Sequence, residues 1–490
     1  IMLLTLRRSS APLHRQIYEA LKAGIREGKY RPGTRLPSSR TLCADLGVSR
    51  NTVISAYEQL LAEGYALSRE RGTTVVADVV APRRSHAPDV QDASAPPRLS
   101  SWAQRLTREP WMPPAGSYTH RPGVRIDFRY GLPALDEFPL EIWRRLLAAH
   151  AKRPARDSLG YAPPAGHAPL REALAQYLNR SRGLHCDAEQ IVVVNGAQQA
   201  IDLATRVLLD PGDAAVVEEP HYTGATVPIE ALGARLIHVA TDAQGLDPSQ
   251  LPPSSSRARL AYVTPCHQFP SGVIMPLERR LALLDWAARI DAWIVEDDYV
   301  SEFRYEGSPL EALQALDRHG RVIYIGTFAK TLFPALRLAY LVLPRALVRP
   351  FVAAKWVADR FSTPLPQAAL AQFIASGQFE RYLRRAGLRN AARRRALIEA
   401  LQQHFGDRIQ IAGENTGVHL VVWFNHVRPQ RLDALIARAA QAGVGLYSVA
   451  PYYANPPARA GLLFGYASLS IADIRAGVRK LASLTVEPRE

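Results

Sequence analysis

Hydrophobic and polar positions alternate with a helical period near the start of the chain. The apolar positions of a first helix, predicted over residues 12–28, form one stripe of Leu13, Ile17, Leu21 and Ile25. RPGTRLPSSR then predicts a turn, and Ser38 or Ser39 can cap a second helix that ends at Leu46. This part of the chain is therefore predicted to be a small helical unit.

A third helix and a β-hairpin complete this unit. Gly47 and Val48 break the second helix, Ser49 can cap the third, and Gly64 ends it. YALSRERGTTVV follows, with two short β segments around a turn that contains glycine. Helix, helix, tight turn, helix and β-wing together predict a winged helix-turn-helix over residues 10–77.

The start of the third helix carries side chains that suit DNA. A helix N-terminus offers N–H groups and a positive dipole to phosphate, and Arg and Asn side chains can pair with base edges. The residues expected to contact DNA are Arg40, Ser49, Arg50, Asn51, Thr52, Arg71 and Gly72. The alternative is a protein-interaction module with solvated arginines. The formal net charge of +15 favours a phosphate-rich partner, and we expect double-stranded DNA.

The apolar pattern changes twice after this unit. Residues 78–123 are rich in Pro, Ala, Ser and Arg without a steady apolar period, so they are predicted to form a linker. Over residues 124–486, apolar runs such as IVVVNG, RLAYVTP, AWIVEDDY and VIYIGTF alternate with amphipathic stretches. This alternation predicts an α/β domain with a largely parallel sheet.

Composition narrows the class of protein. No run of about 18 uncharged apolar residues occurs, so we expect no membrane span. The three cysteines, Cys43, Cys186 and Cys266, are scattered and odd in number, which argues against a disulfide framework and for a reducing compartment. We therefore expect a cytoplasmic protein, and we expect no metal site.

One lysine lies where covalent chemistry is favoured. The chain holds only six lysines, and Lys330 follows the apolar run VIYIGTF. A lysine in a largely apolar setting loses its proton more readily and can form a Schiff base with an aldehyde. Thr327 and Arg337 could bind a phosphate beside it. The alternative is a surface lysine on a loop.

Further polar groups follow neighbouring apolar runs. Asp297 could pair with a protonated pyridine nitrogen, and Tyr299 could bond the phenolic oxygen of the same ring. The N–H groups of Gly196, Ala197 and Gln198 could hold a phosphate at a helix start. Turn chemistry or helix capping is the alternative for the acidic pair Asp297–Asp298.

Two tyrosines follow strand and loop signals. Tyr222, in EEPHYTGA, could stack on a cofactor ring, and Tyr161 lies on a loop rich in Pro and Gly before a helix. For both residues the alternative is ordinary packing.

These motifs resemble two known families. LPSSRTLCADLGVSRNTVISAYEQLLAEGYALSRERGTTVV resembles the DNA-binding domain of the GntR family of bacterial regulators. The positions that this resemblance makes DNA-contacting are Arg40, Ser49, Arg50, Thr52 and Gly72. YAPPAG, NGAQQA, EEPHY, TPCHQFPSG, EDDY and TFAK follow one another as in fold-type I pyridoxal phosphate enzymes, the aspartate aminotransferase superfamily.

The second resemblance implies pyridoxal 5'-phosphate as the cofactor. It makes Lys330 the Schiff-base lysine and Asp297 the partner of the pyridine nitrogen. The other roles that it implies are phenolic-oxygen contact by Tyr299, ring stacking by Tyr222, and phosphate binding by Ala197, Gln198, Thr327 and Arg337. It also implies a homodimer of the domain-swapped, head-to-tail kind, in which Tyr161 reaches the phosphate site of the neighbouring subunit.

A GntR-type winged helix joined by a linker to an aminotransferase-like domain resembles the MocR family of bacterial transcription regulators. The implied fold is multidomain, an N-terminal winged helix-turn-helix plus a C-terminal α/β domain of fold type I. The implied function is a DNA-binding regulator that senses an amine, an amino compound or pyridoxal phosphate itself. The alternative is a working aminotransferase with an accessory DNA-binding module.

Two departures from aminotransferases bear on the effector. Phe269 stands where aminotransferases usually carry the Asn of N-P-T-G, and Leu463 stands where they carry an arginine for the substrate carboxylate. An α-carboxylate beside Leu463 would be desolvated without a matched partner. We therefore expect ordinary α-amino acids to be poor effectors and at most weak transaminase half-reactions. The expected effector is an amine without an α-carboxylate, a sulfonated amine, or pyridoxal phosphate.

Overall fold

The computed structural model divides the chain into two units, Ile1–Arg98 and Leu99–Glu490. The residues that the structure describes are 11–69, 73–78, 98–108, 122–152, 159–305, 307 and 310–485. Arg71 and Gly72 of the predicted wing lie outside these residues, as does most of the predicted linker. No helix within the described ranges is both long and apolar enough to cross a bilayer.

The first unit has the predicted order of elements. Its elements are α1 Leu13–Arg26, α2 Ser39–Leu46, α3 Arg50–Ala62, β1 Ala66–Arg69 and β2 Thr73–Val76. The strands pair antiparallel, with Ala66 opposite Val76, and so form the predicted wing. Apolar side chains of α1 and α3, including Leu21 and Val53, are fully buried and form the core of this unit.

The cap of α2 settles the choice that the sequence left open. The Oγ atom of Ser38 accepts from the backbone N–H of Thr41 at 3.1 Å, so Ser38 and not Ser39 is the capping residue. Gly47 ends α2 with φ of 64°, a left-handed conformation that glycine adopts without a steric penalty. The turn between α2 and α3 is therefore tight.

Among the described residues, the second unit contains a large eight-stranded sheet, a four-stranded sheet and a two-stranded sheet in which the strands Ile126–Asp127 and Val444–Gly445 pair. Its strands are β3 Ile126–Asp127, β4 Ile191–Val194, β5 Ala214–Glu219, β6 Arg235–Asp242, β7 Gly245–Leu246, β8 Ala258–Val263, β9 Trp293–Asp298, β10 Val322–Thr327, β11 Ala339–Val342, β12 Ile409–Ala412, β13 His419–Phe424, β14 Val444–Gly445, β15 Tyr447–Ser448 and β16 Ala460–Gly465. Among the described residues, the large sheet has the strand order β4-β11-β10-β9-β8-β5-β6-β7. Its central strands β10, β9, β8, β5 and β6 are mutually parallel, as the sequence predicts.

Helices surround these sheets. Their bounds are Ser101–Arg108, Leu140–Lys152, Ala168–Arg182, Ala197–Leu208, Thr223–Leu232, Leu277–Ile290, Leu313–Leu316, Arg345–Asp359, Pro364–Ala375, Gln378–Phe405, Leu432–Gln441 and Ile471–Thr485. The first of them lies in the region predicted to be linker, where Arg105 donates to the carbonyls of Ala231 and Leu232 at 2.8 and 3.0 Å. These hydrogen bonds therefore hold this helix to the rest of the second unit.

Both faces of the large sheet are buried. Val193 and Tyr324 belong to one hydrophobic cluster, whereas their strand neighbours Val192, Ile323 and Ile325 belong to another. Successive side chains of a strand point to opposite faces, so these runs are apolar on both faces. The carboxyl ends of β5, β8, β9 and β10 meet at one edge, where ligands bind in open α/β sheets.

A separate antiparallel sheet follows in the chain. Its strand order within the described residues is β12-β13-β16-β15. The sequence pattern did not separate it from the large sheet, because short apolar strands between helices look alike in either sheet. Leu463 lies in β16, is fully buried, and packs with Val421 and Val449.

Candidate functional site

The N-terminus of α3 presents polar groups on the surface of the first unit. The Oγ atom of Ser49 accepts from the backbone N–H of Thr52 at 3.2 Å and lies 2.7 Å from the Thr52 hydroxyl. Arg50 and Asn51 are exposed in the first turn, and Arg40 is exposed on α2. The Arg50 Nε atom donates to Ser39 Oγ at 3.3 Å, which links the guanidinium to α2. Ser49 and Thr52 thus build the helix start, while Arg50 and Asn51 extend from it.

Lys330 lies in the loop that follows β10. Its Nζ atom donates to the carbonyl of Gly131 at 3.1 Å, and the side chain is partly buried. Burial lowers the pKa of Lys330 below its usual value, and the negative charge of Asp297 opposes that effect. Gly131 has φ of 77°, and a Cβ atom there would lie 2.5 Å from Nζ, so any other residue would be strained and would displace the lysine amine.

Asp297 lies near the end of β9 and is 5% exposed. Its Oδ2 atom accepts from the Tyr262 hydroxyl at 2.5 Å, whereas Oδ1 has no hydrogen-bond partner among the described residues. Burial is the main cause that raises the pKa of Asp297 to about 6, and Lys330 acts in the opposite direction. A buried carboxylate oxygen without a donor is costly, so this atom is poised to accept from a ligand.

The two acids beside Asp297 serve the fold instead. Glu296 accepts from the backbone N–H groups of Leu313 and Gln314 at 2.7 and 2.9 Å. Asp298 forms a buried ion pair with Arg182 at 2.5 Å and accepts from the Tyr324 hydroxyl at 2.7 Å. Alternation along β9 therefore directs Asp297 to one face of the sheet and its two neighbours to the other.

Aromatic rings form a wall beside these charged groups. Phe269 lies 5.5 Å from Tyr222, 6.2 Å from Tyr299 and 4.9 Å from Tyr452, measured between ring centroids. The Tyr452 hydroxyl donates to the Tyr130 hydroxyl at 2.6 Å. The Tyr299 hydroxyl is buried and has no hydrogen-bond partner within the described ranges. Phe269 is thus at the centre of an aromatic cluster.

Two buried imidazoles lie beside the aromatic cluster around Phe269. His419 Nε2 lies 3.0 Å from the Pro270 carbonyl, and His267 Nδ1 lies 2.5 Å from Thr416 Oγ1. Burial lowers the pKa of His419 to about 4 and that of His267 well below its usual value. Both rings are therefore neutral at pH 7, and they add no positive charge to the site.

A cradle of polar groups, formed by Asn195, Gly196 and Arg337, lies where β4 leads into the helix Ala197–Leu208. Gly196 has φ of 92°, and Arg337 Nη2 donates to the Asn195 carbonyl at 2.7 Å. A Cβ atom at Gly196 would lie 2.4 Å from Arg337 Nη2, so the guanidinium covers the helix start directly. Backbone N–H groups at the start of a helix, beside a guanidinium, suit an anion such as phosphate.

The remaining predicted phosphate contacts lie at the end of a strand and in the first turn of a helix. Thr327, at the end of β10, accepts through Oγ1 from the Ala329 backbone N–H at 3.2 Å. The Gln198 amide donates to the Gly224 carbonyl at 2.7 Å, in the first turn of the helix Thr223–Leu232 that follows Tyr222. The Gln198 side chain therefore joins the starts of these two helices.

Tyr161 is separate from the other predicted site residues. Its side chain is 87% exposed, and its ring lies 6.2 Å from that of Phe361. No hydrogen bond or ion pair joins Tyr161 to Lys330 or Arg337 among the described residues.

Sequence reasoning missed several groups that shape the site. Tyr262 donates to Asp297, and Gly131 accepts from Lys330, yet neither stood out in its motif. Glu218, in β5, is buried beside Thr264, and burial raises the pKa of its carboxyl to about 7. The signal available for Tyr262 and Glu218 was their place near the carboxyl ends of apolar strands, where Asp297 also lies.

Comparison with known proteins identifies relatives of both units. Residues 13–76 match the gntR family of bacterial regulatory proteins, and residues 134–460 match the family of class I and II aminotransferases. The chain is 40% identical over 488 residues to the probable rhizopine catabolism regulatory protein MocR of Rhizobium meliloti, covering 98% of this chain and 95% of that protein. It is 32% identical over 458 residues to the pyridoxine biosynthesis transcriptional regulator PdxR of Corynebacterium glutamicum, covering 92% and 91%.

Solved structures that resemble the second unit include aminotransferases. One is LysN, an α-aminoadipate aminotransferase from Thermus thermophilus in complex with N-(5'-phosphopyridoxyl)-L-leucine. It is 27% identical, covers 79% of this chain and 96% of its own, and gives a TM-score of 0.70. The C-terminal unit therefore has the fold of pyridoxal phosphate-dependent aminotransferases, and the N-terminal unit has that of a GntR-type DNA-binding domain.

Proposed function

Because this chain belongs to the MocR family of transcription regulators, we propose that its second unit holds pyridoxal 5'-phosphate on Lys330 and thereby controls how the first unit binds DNA. The observation that carries the proposal is the pair of Lys330 and Asp297. One has a pKa lowered by burial, and the other keeps a buried oxygen atom without a donor in the described part of the chain. When bound, the cofactor would supply an aldehyde for covalent capture of amines.

The residues present fit this cofactor at its ring. Asp297 Oδ1 would accept from the pyridine N–H and hold that proton, which satisfies the buried carboxylate oxygen. The Tyr299 hydroxyl would donate to the phenolic oxygen, and the Tyr222 ring would cover one face. Tyr262, through its bond to Asp297 Oδ2, would keep Oδ1 directed at the ring.

The phosphate end has a cradle of matching charge. Arg337 covers Gly196 at the helix start, and the N–H groups of Ala197 and Gln198 in the first turn would donate to an anion. Thr327, at the end of β10, would add a hydroxyl donor. A dianionic phosphate would thus meet a full guanidinium charge and the positive end of a helix dipole.

A second copy of the chain is part of the proposal. Tyr161 is 87% exposed and lies apart from the Lys330 site of its own chain, yet it belongs to the motifs that resemble aminotransferases. We propose a homodimer in which Tyr161 reaches the phosphate cradle of the other subunit, with the chains arranged head to tail.

The proposed effector is an amine without an α-carboxylate, a sulfonated amine, or pyridoxal phosphate itself. Leu463 is fully buried among apolar side chains, which offers no donor to a carboxylate. Arg129 is paired with Asp127 at 3.0 Å and donates to the Tyr447 hydroxyl at 3.3 Å. Arg459 donates to Gln410 and Asn425, both at 3.1 Å. Neither guanidinium is positioned as a free clamp for an incoming carboxylate.

DNA binding provides the test. Full-length protein, first without cofactor and then loaded, is titrated with a double-stranded fragment from upstream of its own coding sequence. We expect loading, or a later addition of a diamine or an aminosulfonate, to change the dissociation constant by about fivefold or more. Lys330→Ala should bind the fragment yet show no response to the amines.

Two results would contradict different parts of this proposal. Equal affinity of the cofactor-free, loaded and amine-treated forms would refute the coupling. A strong response to a common α-amino acid such as L-alanine would refute the proposed effector class while leaving the regulator intact.

A further inference from the structure

Glu219, His221 and His238 form a cluster of metal-ligating side chains outside the Lys330 site. Glu219 ends β5, His221 follows two residues later, and His238 lies on the neighbouring strand β6. Glu219 Oε2 lies 3.2 Å from His221 Nδ1 and 2.9 Å from His238 Nδ1. The potential ligand atoms of the three side chains all lie within 4.8 Å of one another.

This spacing is close to that of a tetrahedral metal site. Ligand atoms at about 2.0–2.1 Å from Zn²⁺ lie about 3.3 Å apart at tetrahedral angles. The Glu219–His221 separation of 3.2 Å already has this value, and the Glu219–His238 separation of 2.9 Å needs only a small increase. Both imidazoles direct the same atom, Nδ1, at the carboxylate.

Contacts outside the cluster orient its members. Glu219 Oε1 accepts from the Ala454 backbone N–H at 2.7 Å, which leaves Oε2 directed at the two histidines. The His221 backbone N–H donates to the Tyr452 carbonyl at 2.8 Å. Hydrogen bonds to metal-ligating residues fix the orientation of their side chains and raise the affinity for the metal ion.

We propose that Glu219, His221 and His238 bind a divalent transition metal ion of the Zn²⁺ type. Two imidazoles and one carboxylate suit Zn²⁺, Co²⁺ or Ni²⁺, whereas Mg²⁺ and Ca²⁺ prefer oxygen ligands alone. Three protein ligands leave a position for water. The side chain of His238 is 29% exposed and those of Glu219 and His221 are 18% and 11% exposed, so the ion reaches the site from the His238 side.

The proposed ion is next to the wall of the Lys330 site. Tyr222 directly follows His221, and Tyr452, which accepts from the His221 N–H, packs 4.9 Å from Phe269. An ion would hold β5, β6 and the 450–454 segment together through Glu219 and its bond to Ala454. It would therefore restrict the aromatic wall without contacting the cofactor site. The proposal does not depend on the function of Lys330.

Zinc titration of full-length, tag-free protein tests the site. Isothermal titration calorimetry with Zn²⁺ should give one saturable site per chain. His221→Ala and His238→Ala should each weaken that site by about tenfold or more. His426→Ala removes an exposed histidine outside the cluster and should leave the affinity unchanged. Millimolar Mg²⁺ should not compete.

The Glu219→Gln variant distinguishes the loss of a metal ligand from misfolding. Its amide oxygen can still accept from the Ala454 N–H, but the charged ligand is lost. We expect a native circular dichroism spectrum together with Zn²⁺ affinity reduced by about tenfold or more. The proposal is overturned if the wild-type chain shows no saturable site, or if the His221, His238 and Glu219 variants bind Zn²⁺ as the wild type does. In that case Glu219 simply accepts hydrogen bonds from both imidazoles.

Discussion

The start of α3 and the Lys330 site place functional side chains in opposite environments. Arg50 and Asn51 are exposed at the surface of the first unit, and their helix start is already capped by Ser49. Asp297 is 5% exposed and retains an unsatisfied oxygen among the described residues, and burial lowers the pKa of Lys330. The charged groups at the start of α3 therefore stay hydrated, whereas those of the Lys330 site are largely removed from water.

This difference follows from the partner that each site would meet. A DNA backbone is a long array of charges, and hydrated arginines bind it by releasing counterions at little cost to the folded protein. A small cofactor offers few contacts, so each must be strong, and desolvated groups interact more strongly than hydrated ones. In the cofactor-free protein, the second unit therefore carries charged groups whose burial is unfavourable. Five predictions test this contrast.

The largest effect is expected at Lys330. Lys330→Ala should abolish covalent attachment of pyridoxal phosphate after borohydride reduction, because the amine that would form the bond is gone. Intact-protein mass spectrometry measures the adduct. Lys480→Ala, which removes an exposed lysine at the last helix, should keep the full adduct. An undiminished adduct in Lys330→Ala would assign the chemistry to another lysine.

Next comes the buried ion pair that neighbours Asp297. Arg182→Met should lower the free energy of unfolding by about 3–5 kcal/mol, because Asp298 is left buried without its cation. Urea unfolding followed by circular dichroism measures the change. The exposed pair Arg144–Glu141 gives the control, since Arg144→Ala should cost less than about 1 kcal/mol. Similar losses in both variants would show that burial does not separate the two kinds of pair.

Removing the charge of Asp297 should stabilise the protein, whereas removing that of Arg182 should destabilise it. Its pKa of about 6 in the folded protein, against an ordinary 3.8, means that stability is present below pH 3.8 and is lost as the pH rises through 6. Asp297→Asn lacks this loss and should stabilise the cofactor-free protein by about 3 kcal/mol at pH 8. The gain should shrink as the pH falls toward 4. Urea unfolding between pH 5 and pH 8 follows it, and a gain that is constant with pH would contradict the cause.

A smaller effect is expected at the DNA side. Arg50→Ala should weaken binding to the DNA fragment by about 1–3 kcal/mol and relax the preference at one base position if the guanidinium reads a base edge. Fluorescence anisotropy with a set of single-base variants measures both quantities. Equal weakening for every sequence, with a shallower salt dependence, would make Arg50 a phosphate contact. Unchanged binding would contradict the assignment of α3 as the recognition helix.

The smallest effect concerns the cap of α3. Ser49→Ala should destabilise this helix by about 1 kcal/mol, because the Thr52 N–H loses its acceptor. Hydrogen exchange of the α3 amides in the full-length protein measures the change. Ser55→Ala, at an exposed position inside the same helix, should leave protection equal or slightly higher. Faster exchange in both variants would argue against a specific capping role.

Local patterns predicted the first unit well. The helix stripes, the Ser49 cap and the two wing strands each depend on residues within about one or two turns of one another. The central parallel strands of the second unit were also readable, because each is a continuous apolar run. The choice between Ser38 and Ser39 needed the structure, since both residues can serve as caps.

Long-range contacts could not be predicted in this way. Tyr262 donates to Asp297 from another strand, and Gly131 reaches Lys330 across 199 positions of sequence. His238 meets Glu219 because β5 and β6 are neighbours in the sheet, which the spacing of the two residues does not reveal. The sequence also could not tell that Asp298 is paired with Arg182 while Asp297 is left with a free oxygen among the described residues.

The three consecutive acids of β9 have a consequence for how this gene tolerates change. Asp297 faces one side of the sheet and Glu296 and Asp298 face the other, so their assignments depend on register rather than on composition. A single-codon insertion or deletion early in β9 would move each of the three acids to the opposite face of the sheet. It would turn one carboxylate away from the Lys330 site and another away from Arg182, although no acid would be lost. Substitutions among the apolar residues before Glu296 should thus be tolerated far more often than changes of length.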